Sequence, residues 1–323
     1  MVEISPGLVE LANFLVPASI FALMALALNL QWGHTGLFNA GVAAFWAIGA
    51  YTAAILMTPY DPVSAQYPGH LGGFSQPFLI AAFAAILLSG LVGLGIAIPI
   101  LRLRADYFAI ATLALSEIIR ILLDNADSLT AGTIGIRLIP RPFGTLVLGS
   151  RGLSDLSVAA LGVTALLLTL IALEYLTRAP WGRVLHGIRE DEEATLALGK
   201  NVFSFRLQAF VLGCAVLGLA GAIFSTYQGF IAPNEFDPLA TFGIYVMVIL
   251  GGSGNNRGVI FGAFLFYGFD WVSTRLKDYL PTDIQEKVPA LRLMVIGALL
   301  VVLVLYRPEG IFKERKRIYP PVG

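Results

Sequence analysis

Charged residues are scarce in this chain of 323 residues. Only 13 % are Asp, Glu, Lys or Arg, whereas 57 % are hydrophobic and the mean hydropathy is +0.79. A soluble domain carries about twice that charged fraction, so the composition excludes one and indicates a protein that crosses a membrane several times. The formal net charge is zero and there is no basic stripe, so nothing points to nucleic-acid binding.

Cysteine and histidine are rare, and the start of the chain has no Lys or Arg. The single cysteine, Cys214, cannot form an internal disulfide, and its apolar surroundings predict a packing residue. The three histidines are widely separated and lack metal-ligand spacing, so we expect no metal site. Glu3 and Glu10 stand near the start without Lys or Arg, so a cleavable secretory signal is not indicated. The first apolar run is therefore expected to remain as a helix.

Long apolar runs are abundant. A helix needs about 20 mostly apolar residues to span a bilayer, and a backbone in lipid must satisfy its own polar groups, so such runs predict an all-α polytopic bundle. We expect about nine spans, within a range of eight to ten. The blocks are approximately 8–30, 37–56, 78–100, 107–123, 156–176, 207–226, 239–250, 259–274 and 289–306.

The second and seventh blocks are the weakest. The seventh is short and runs into GGSGNNRG, so it is a candidate for a re-entrant or broken helix. We interpret that glycine-rich stretch as a turn between the seventh and eighth spans.

Neither this stretch nor Gly199-Lys200-Asn201 completes the G-x-x-x-x-G-K-[ST] phosphate loop. The chain itself is therefore not expected to bind ATP.

The distribution of Lys and Arg sets the orientation, because cytoplasmic loops hold an excess of them. One set of alternate loops, comprising Arg102 with Arg104, the stretch 178–206, Arg257 and the tail 307–323, holds 13 of the 21 basic residues. We expect that side to be cytoplasmic. With nine spans the amino terminus then lies outside, as does the 59–77 loop, which has no Lys or Arg.

Small residues recur four apart within the spans. Examples are Gly49 with Ala53 and Gly218 with Ala222, a spacing that lets helix backbones approach closely. Two interpretations stay open: ordinary packing within this chain, or a sliding or dimeric interface with another subunit.

Polar side chains within spans are costly and therefore point to structure or function. In the fourth block, Ser116 precedes Glu117, and Glu117, Arg120 and Asp124 are spaced three and four apart on one helix face. The first interpretation is an ion-pair ladder within the helix that faces the bundle. The second is that these side chains line the permeation path.

A second polar concentration, NLQWGHTGLFNAG, joins the first two blocks at 29–41. Its glycines, with Thr35 and Asn39, predict irregular backbone that brings main-chain groups toward a cavity, as broken transporter helices do. A tight cytoplasmic turn is an equal alternative.

The densest charge lies in the island 178–206. Pro180 ends the preceding span, Asp191 is positioned to cap a short helix, and Gly199 is positioned to end it. The product is a short amphipathic helix in water. Its letters E-A-T-x-x-x-G, from Glu193 to Gly199, closely resemble the E-A-A-x-x-x-G loop of permease subunits from ATP-binding-cassette (ABC) importers, although the Ile-x-Leu-Pro ending of many of these is absent.

Six ordered stretches, covering almost the whole chain, resemble the LivM-like permease subunits of branched-chain and neutral amino-acid ABC importers. They are ALNLQWGHTGLFNAGVAAFWAIGAYTAA, LRLRADYFAIATLALSEIIRILLDNADSLTAGTIGI, GIREDEEATLALG, LGLAGAIFSTYQGFIAPNEF, VILGGSGNNRGVIFGAF and YRPEGIF. Two departures lie near expected permeation surfaces: NAGV at 39–42, where many members read Ser-Leu-Gly-His, and TAGTIGI, where Thr-Gly-Gly followed by Pro or Ala is usual. The substrate identity therefore stays open.

The resemblance implies one transmembrane domain over 1–323 in a bacterial plasma membrane. Its implied partners are a LivH-like second permease, two cytoplasmic ATPases that bind ATP and Mg²⁺, an extracytoplasmic binding protein and membrane lipid. No catalytic residue is expected in this chain. The alternatives are an ABC permease for urea or another small polar solute, an ion-coupled secondary transporter, and a passive channel.

Two sets of site residues follow. The residues expected to couple the permease to the ATPases are Arg189, Glu192, Glu193, Ala194, Thr195 and Gly199. The residues expected along the substrate path are Thr35, Asn39, Ser116, Glu117 and Arg120.

Overall fold

Each of the nine apolar blocks forms a helix in the computed structural model, which describes residues 6–59, 71–142, 151–277, 285, 287–306 and 310–312. Within that part of the chain, four helical stretches are long and apolar enough to cross a membrane on their own. They are Gly7–Gly33, Phe78–Ile100, Ser154–Arg178 and Val202–Gln228. The protein is a polytopic helical membrane protein, as the composition predicts.

Twelve α-helices follow one another along the described chain. They are α1 (Pro6–Leu28), α2 (Val42–Met57), α3 (Phe78–Ile100), α4 (Ala105–Asn125), α5 (Asp127–Thr130), α6 (Arg151–Arg178), α7 (Pro180–Glu190), α8 (Glu192–Ala197), α9 (Val202–Gln228), α10 (Leu239–Gly251), α11 (Asn256–Lys277) and α12 (Val288–Tyr306). A π-helical turn, Asn29–Gly33, continues α1. Two strands of two residues each, β1 (Ile136–Arg137) and β2 (Phe230–Ile231), form an antiparallel pair.

The second and seventh blocks, the two weakest in the sequence, are short helices, and only the seventh was predicted to be short. α2 has 16 residues and α10 has 13. At 1.5 Å per residue these lengths are about 24 and 20 Å, less than the roughly 30 Å of a bilayer core. Residues 36–41, before α2, have no regular secondary structure, and the amide of Ala43 lies 3.4 Å from Thr241 Oγ1 of α10. The two short helices therefore meet where α2 begins.

The centre of the bundle is α9, which packs along both α2 and α3. A Cβ added to Gly49 of α2 would lie 2.2 Å from the carbonyl oxygen of Gly218 in α9, and one added to Gly93 of α3 would lie 2.9 Å from Sγ of the buried Cys214. The absence of side chains lets these backbones approach closely. For these glycines, the interpretation as packing within the chain is confirmed.

Ion pairs show which helix ends lie together. Arg257, at the start of α11, pairs with Glu174 near the end of α6 at 3.0 Å, and Arg275 of α11 pairs with Glu10 of α1 at 2.9 Å. The first pair lies at the end that also holds 178–206, which we call the basic end. The second pair lies at the opposite end, where α1 begins, in agreement with the predicted grouping of basic loops.

Residues 310–312, which follow the last helix, lie at the basic end. The amides of Ile311 and Phe312 donate to the carbonyls of Leu250 and Gly251 at 3.0 and 3.2 Å. The rest of the predicted tail 307–323, and residues 60–70 of the predicted external loop, lie outside the described residues.

Replacing Gly49 with Ala is expected to destabilise the permease. The new methyl group would collide with backbone of α9 rather than with a flexible side chain, and such overpacking costs about 1–3 kcal/mol. The measurement is the thermal unfolding midpoint of the detergent-solubilised protein. Gly95→Ala in α3 is the matched control, because nothing lies within 4 Å of its added Cβ. Equal midpoints for the two variants would refute the close α2–α9 contact.

Candidate functional site

The charged island folds into two consecutive helices rather than one. Pro180 occupies the first turn of α7, where its missing N–H costs no hydrogen bond. Asp191 separates α7 from α8, and its carboxylate accepts a hydrogen bond from the amide of Ala194 at 2.9 Å. Gly199 has a φ of +74°, the left-handed conformation that ends helices. The predicted cap and the predicted stop are both confirmed.

Two of the predicted coupling residues fix these helices to the rest of the chain, and a third forms a hydrogen bond at the start of α8. Glu192 pairs with Arg206 of α9 at 2.8 Å. Thr195 is buried, and its hydroxyl donates to the carbonyl of Asp191 at 2.9 Å. The guanidinium of Arg189 donates to the carbonyl of Gly33 at the end of the π-helical turn. α8 is therefore held to α9 by the Glu192–Arg206 ion pair, and α7 is held to the end of the first span by Arg189; both are charge-assisted bonds, the stronger class of hydrogen bond.

The outward face of α8 carries the other predicted residues. Glu193, Ala194 and Gly199 are exposed, and beside them Leu196 and Leu198 are 52 % and 78 % exposed. We call Glu193, Ala194, Leu196, Leu198 and Gly199 the α8 face. The two leucines were not in the predicted site. Their position in an otherwise charged stretch, where an apolar side chain is exposed to water, could have identified them as part of the site.

The break between α1 and α2 is stabilised by buried amide side chains. Gln31 Nε2 donates to the carbonyl of Phe210 in α9 at 3.0 Å, and Asn39 Nδ2 donates to Gln31 Oε1 at 2.8 Å. Asn39 Oδ1 accepts from the amide of Gly41 at 2.9 Å, and the hydroxyl of Thr35 donates to the carbonyl of Leu30 at 2.9 Å. Thr35 and Asn39 thus lie inside the bundle and bond to their own chain.

The GGSGNNRG stretch forms the predicted turn between α10 and α11, and this turn lies against the break. The amide of Gly254 donates to Asn29 Oδ1 at 2.8 Å, and Asn29 Nδ2 donates to Asn256 Oδ1 at 2.8 Å. A Cβ on Gly33 would lie 2.6 Å from the amide nitrogen of Gly254. The turn is therefore fixed to the end of α1.

Two histidines meet beside this turn. His34, the residue after the π-helical turn, has its Nδ1 3.1 Å from Nε2 of His186 in α7 and its Nε2 3.1 Å from Oδ1 of Asn256. Burial, together with the positive charge that His186 acquires on protonation, lowers the pKa of His34 to about 3. His34 is therefore neutral at physiological pH. Both of its ring nitrogens therefore take part in hydrogen bonds.

The Glu117–Arg120 pair predicted in α4 is present. Arg120 Nε and Nη2 lie 2.9 and 2.5 Å from the two carboxylate oxygens of Glu117, so the contact is bidentate. Ser116 is buried, whereas the Glu117 and Arg120 side chains are 41 % and 30 % exposed. The pair therefore lies on a flank of α4 that this chain leaves partly uncovered.

Two aromatic side chains, Phe38 and Tyr245, pack together beside the irregular residues 36–41. Phe38 is 37 % exposed, and its ring is stacked on that of Tyr245 in α10, with centroids 4.4 Å apart. The Tyr245 hydroxyl donates to the carbonyl of Asn39 at 3.0 Å. Neither aromatic residue could be identified from the sequence, because nothing in the local pattern brings α10 next to residue 38.

A half-open cavity of about 270 Å³ lies between α1, α2, α9 and α11. Trp46 Nε1 lines it and, among the described residues, has no hydrogen-bond partner. The other residues that line the cavity are Pro17, Ile20, Phe21, Met24, Phe224, Tyr227, Gln228 and Tyr267.

The described residues contain no group of three or more His, Cys, Asp or Glu that could hold a metal ion.

This architecture, with apolar spanning helices, a broken first span and an anchored surface helix at the basic end, defines a membrane permease. The chain belongs to the family described as the permease component of the branched-chain amino acid transport system, whose model matches residues 10–304.

Individual relatives agree with the family. The LivM permease protein of the high-affinity branched-chain amino acid transport system of Escherichia coli K12 is 33 % identical over 95 % of this chain and 70 % of its own length. A LivM protein of Methanocaldococcus jannaschii is 26 % identical over 94 % and 93 % of the two chains. The LivH permease protein of Salmonella typhimurium is 24 % identical over 94 % of each chain. No solved structure matches the chain at a significant level.

Replacing Arg120 with Ala is expected to reduce, several-fold, the yield of monodisperse permease extracted from membranes. It leaves the Glu117 carboxylate without its partner in a membrane helix, and an unpaired charge there is more costly than two neutral groups. The double variant Glu117→Gln with Arg120→Gln is the control, since it removes both charges. A normal yield from Arg120→Ala would show that the pair is dispensable for folding.

Proposed function

We propose that this chain is the permease subunit of an ABC importer that moves branched-chain or other neutral amino acids into the cytoplasm. The observation that carries the proposal is the α8 face, which is apolar at its centre, exposed, and attached through α7 to the spanning helices. Family membership supports the same conclusion.

The α8 face fits the surface of a soluble ATPase. Leu196 and Leu198 project from the basic end, where an apolar pair at the centre of a polar surface is typical of a protein contact. Because Glu192 and Arg189 anchor the helices from the other side, closure of an ATPase dimer would displace α7 and α8 as one body. Binding energy would then shift the permease between inward-open and outward-open states.

The open flank of α4 fits a second permease. A half-exposed Glu117–Arg120 pair is unfavourable against lipid, so this flank faces protein or water in the assembled transporter. Similarity of the chain to both LivM and LivH proteins supports pairing with a LivH-like subunit. The proposed assembly has these two permeases, two cytoplasmic ATPases that bind ATP and Mg²⁺, and an extracytoplasmic protein that delivers the amino acid.

The complex reconstituted in liposomes is expected to take up leucine only when ATP and the binding protein are both present. Competition with unlabelled leucine, alanine, proline, glutamate and urea measures the specificity, and neutral amino acids are expected to compete best. If urea competes and the amino acids do not, urea rather than a neutral amino acid is the substrate. Uptake by the isolated permease under an ion gradient, with no ATPase present, would instead identify a secondary transporter.

Changes on the α8 face are expected to uncouple ATP hydrolysis from uptake. Glu193→Lys and Leu198→Ser alter the exposed surface, and Gly199→Ala strains a position with φ of +74°. Uptake is expected to fall about ten-fold or more, corresponding to a rise of about 1.4 kcal/mol or more in the activation free energy of coupled transport. Membrane insertion should be unchanged.

Leu103→Ser provides the control for this series, because Leu103 is an exposed leucine at the same end of the bundle but outside α8. Normal coupled uptake in all three α8 variants would rule out the assigned role of this helix.

A further inference from the structure

α7 contacts the broken end of the first span directly. The guanidinium of Arg189 donates to the carbonyl of Gly33, and one turn earlier in α7 the ring of His186 meets the ring of His34 with nitrogens 3.1 Å apart. Gly36 packs on the same arginine, since an added Cβ would lie 3.4 Å from Arg189 Cγ. The surface helices thus bear on the π-helical turn and the residues that follow it.

The direction of each hydrogen bond in this contact is determined by a backbone amide. The N–H of Gly254 can only donate, so Asn29 presents Oδ1 to it and Nδ2 to Asn256. Asn256 must then present Oδ1, to which Nε2–H of His34 donates.

The remaining bond follows from the tautomer of His34. With the proton on Nε2, its Nδ1 is an acceptor, so Nε2 of His186 must be the donor. The two histidines therefore have distinct roles, and only a donor at residue 186 completes the network. This requirement distinguishes a hydrogen-bonding role of His186 from simple filling of space.

The π-helical turn is also bonded to residues 36–41, the irregular part of the break. Gln31 accepts from Asn39, and the amide of Ala40 donates to Thr112 Oγ1 of α4 at 3.0 Å. His34 is thus joined, through the π-helical turn and the Gln31–Asn39 hydrogen bond, to the segment that carries the partly exposed Phe38.

We propose that His186 is a positioning residue that transmits the movement of α7 and α8 to the broken first span through its hydrogen bond to His34. The proposal rests on the proposed function, because it assigns the internal route by which ATPase closure reaches the substrate path. A contiguous network is a physical basis for such a route, and a measured loss of coupling is the evidence it requires.

The test compares a donor and a non-donor of similar size at residue 186 in the complete reconstituted complex. In His186→Gln the amide nitrogen occupies the place of Nε2 and still donates, whereas the thioether of His186→Met cannot. We expect amino acid transported per ATP hydrolysed to fall about ten-fold in the Met variant and to stay within about two-fold of wild type in the Gln variant. ATP hydrolysis itself should persist in both.

Trp181→Phe is the matched control. Trp181 also belongs to α7, but its Nε1 donates to Gln208 of α9 at 2.8 Å rather than to the break. This variant should remain coupled. If the Met variant fails to insert, His186→Ala, which removes the ring without adding bulk, takes its place in the comparison with His186→Gln.

The outcomes separate the two proposals. A wild-type complex without ATP-driven uptake would overturn the proposed function. Coupled wild type together with a fully coupled Met variant would overturn only the role of His186. A Gln variant as uncoupled as the Met variant, or an equally uncoupled Trp181→Phe, would also overturn it, because the defect would then not depend on the donor to His34.

Discussion

A backbone in lipid must satisfy its own polar groups, and the interruption between α1 and α2 is where this constraint is most severe. Residues 36–41 lack regular structure, so their amides and carbonyls lose the partners that a helix supplies. Asn39, Thr112 and Tyr245 provide replacements from three different parts of the chain. α4 and α10 therefore supply hydrogen-bond partners that the break does not provide for itself.

That solution links distant segments. The amide groups that stabilise the break, Asn29 and Gln31, also bond to the α10–α11 turn, to α9 and, through His34, to α7. The proposed movement of the surface helices would act on the first span through this network, in which the His34, Asn29 and Asn256 side chains are buried and already paired. Rupture of such a network costs more than its displacement as a unit.

The chain also has surfaces that its own residues leave uncovered. Leu196 and Leu198 project beyond the basic end, and the Glu117–Arg120 flank of α4 is only partly covered. Each surface has a chemistry unsuited to its exposure in the isolated chain: apolar side chains in water in one case, charges beside lipid in the other. Both features fit the proposed assembly of this chain with other subunits.

The sequence by itself determined the class, the helices over the nine apolar blocks, the cap at Asp191, the stop at Gly199 and the Glu117–Arg120 pair. These depend on composition or on residues within about one helical turn, where periodicity and local hydrogen bonding decide the outcome. It also marked 29–41 as irregular, but left a cavity-lining segment and a simple turn as equal alternatives.

Only the tertiary structure showed that Arg189, Glu192 and Thr195 face inward while the leucines of α8 face outward, and that His34 meets His186. His34 and His186 are separated by 152 positions in the sequence, and their contact depends on how α7 packs against the end of α1. No local pattern in the sequence encodes that arrangement, because it results from the packing of whole helices.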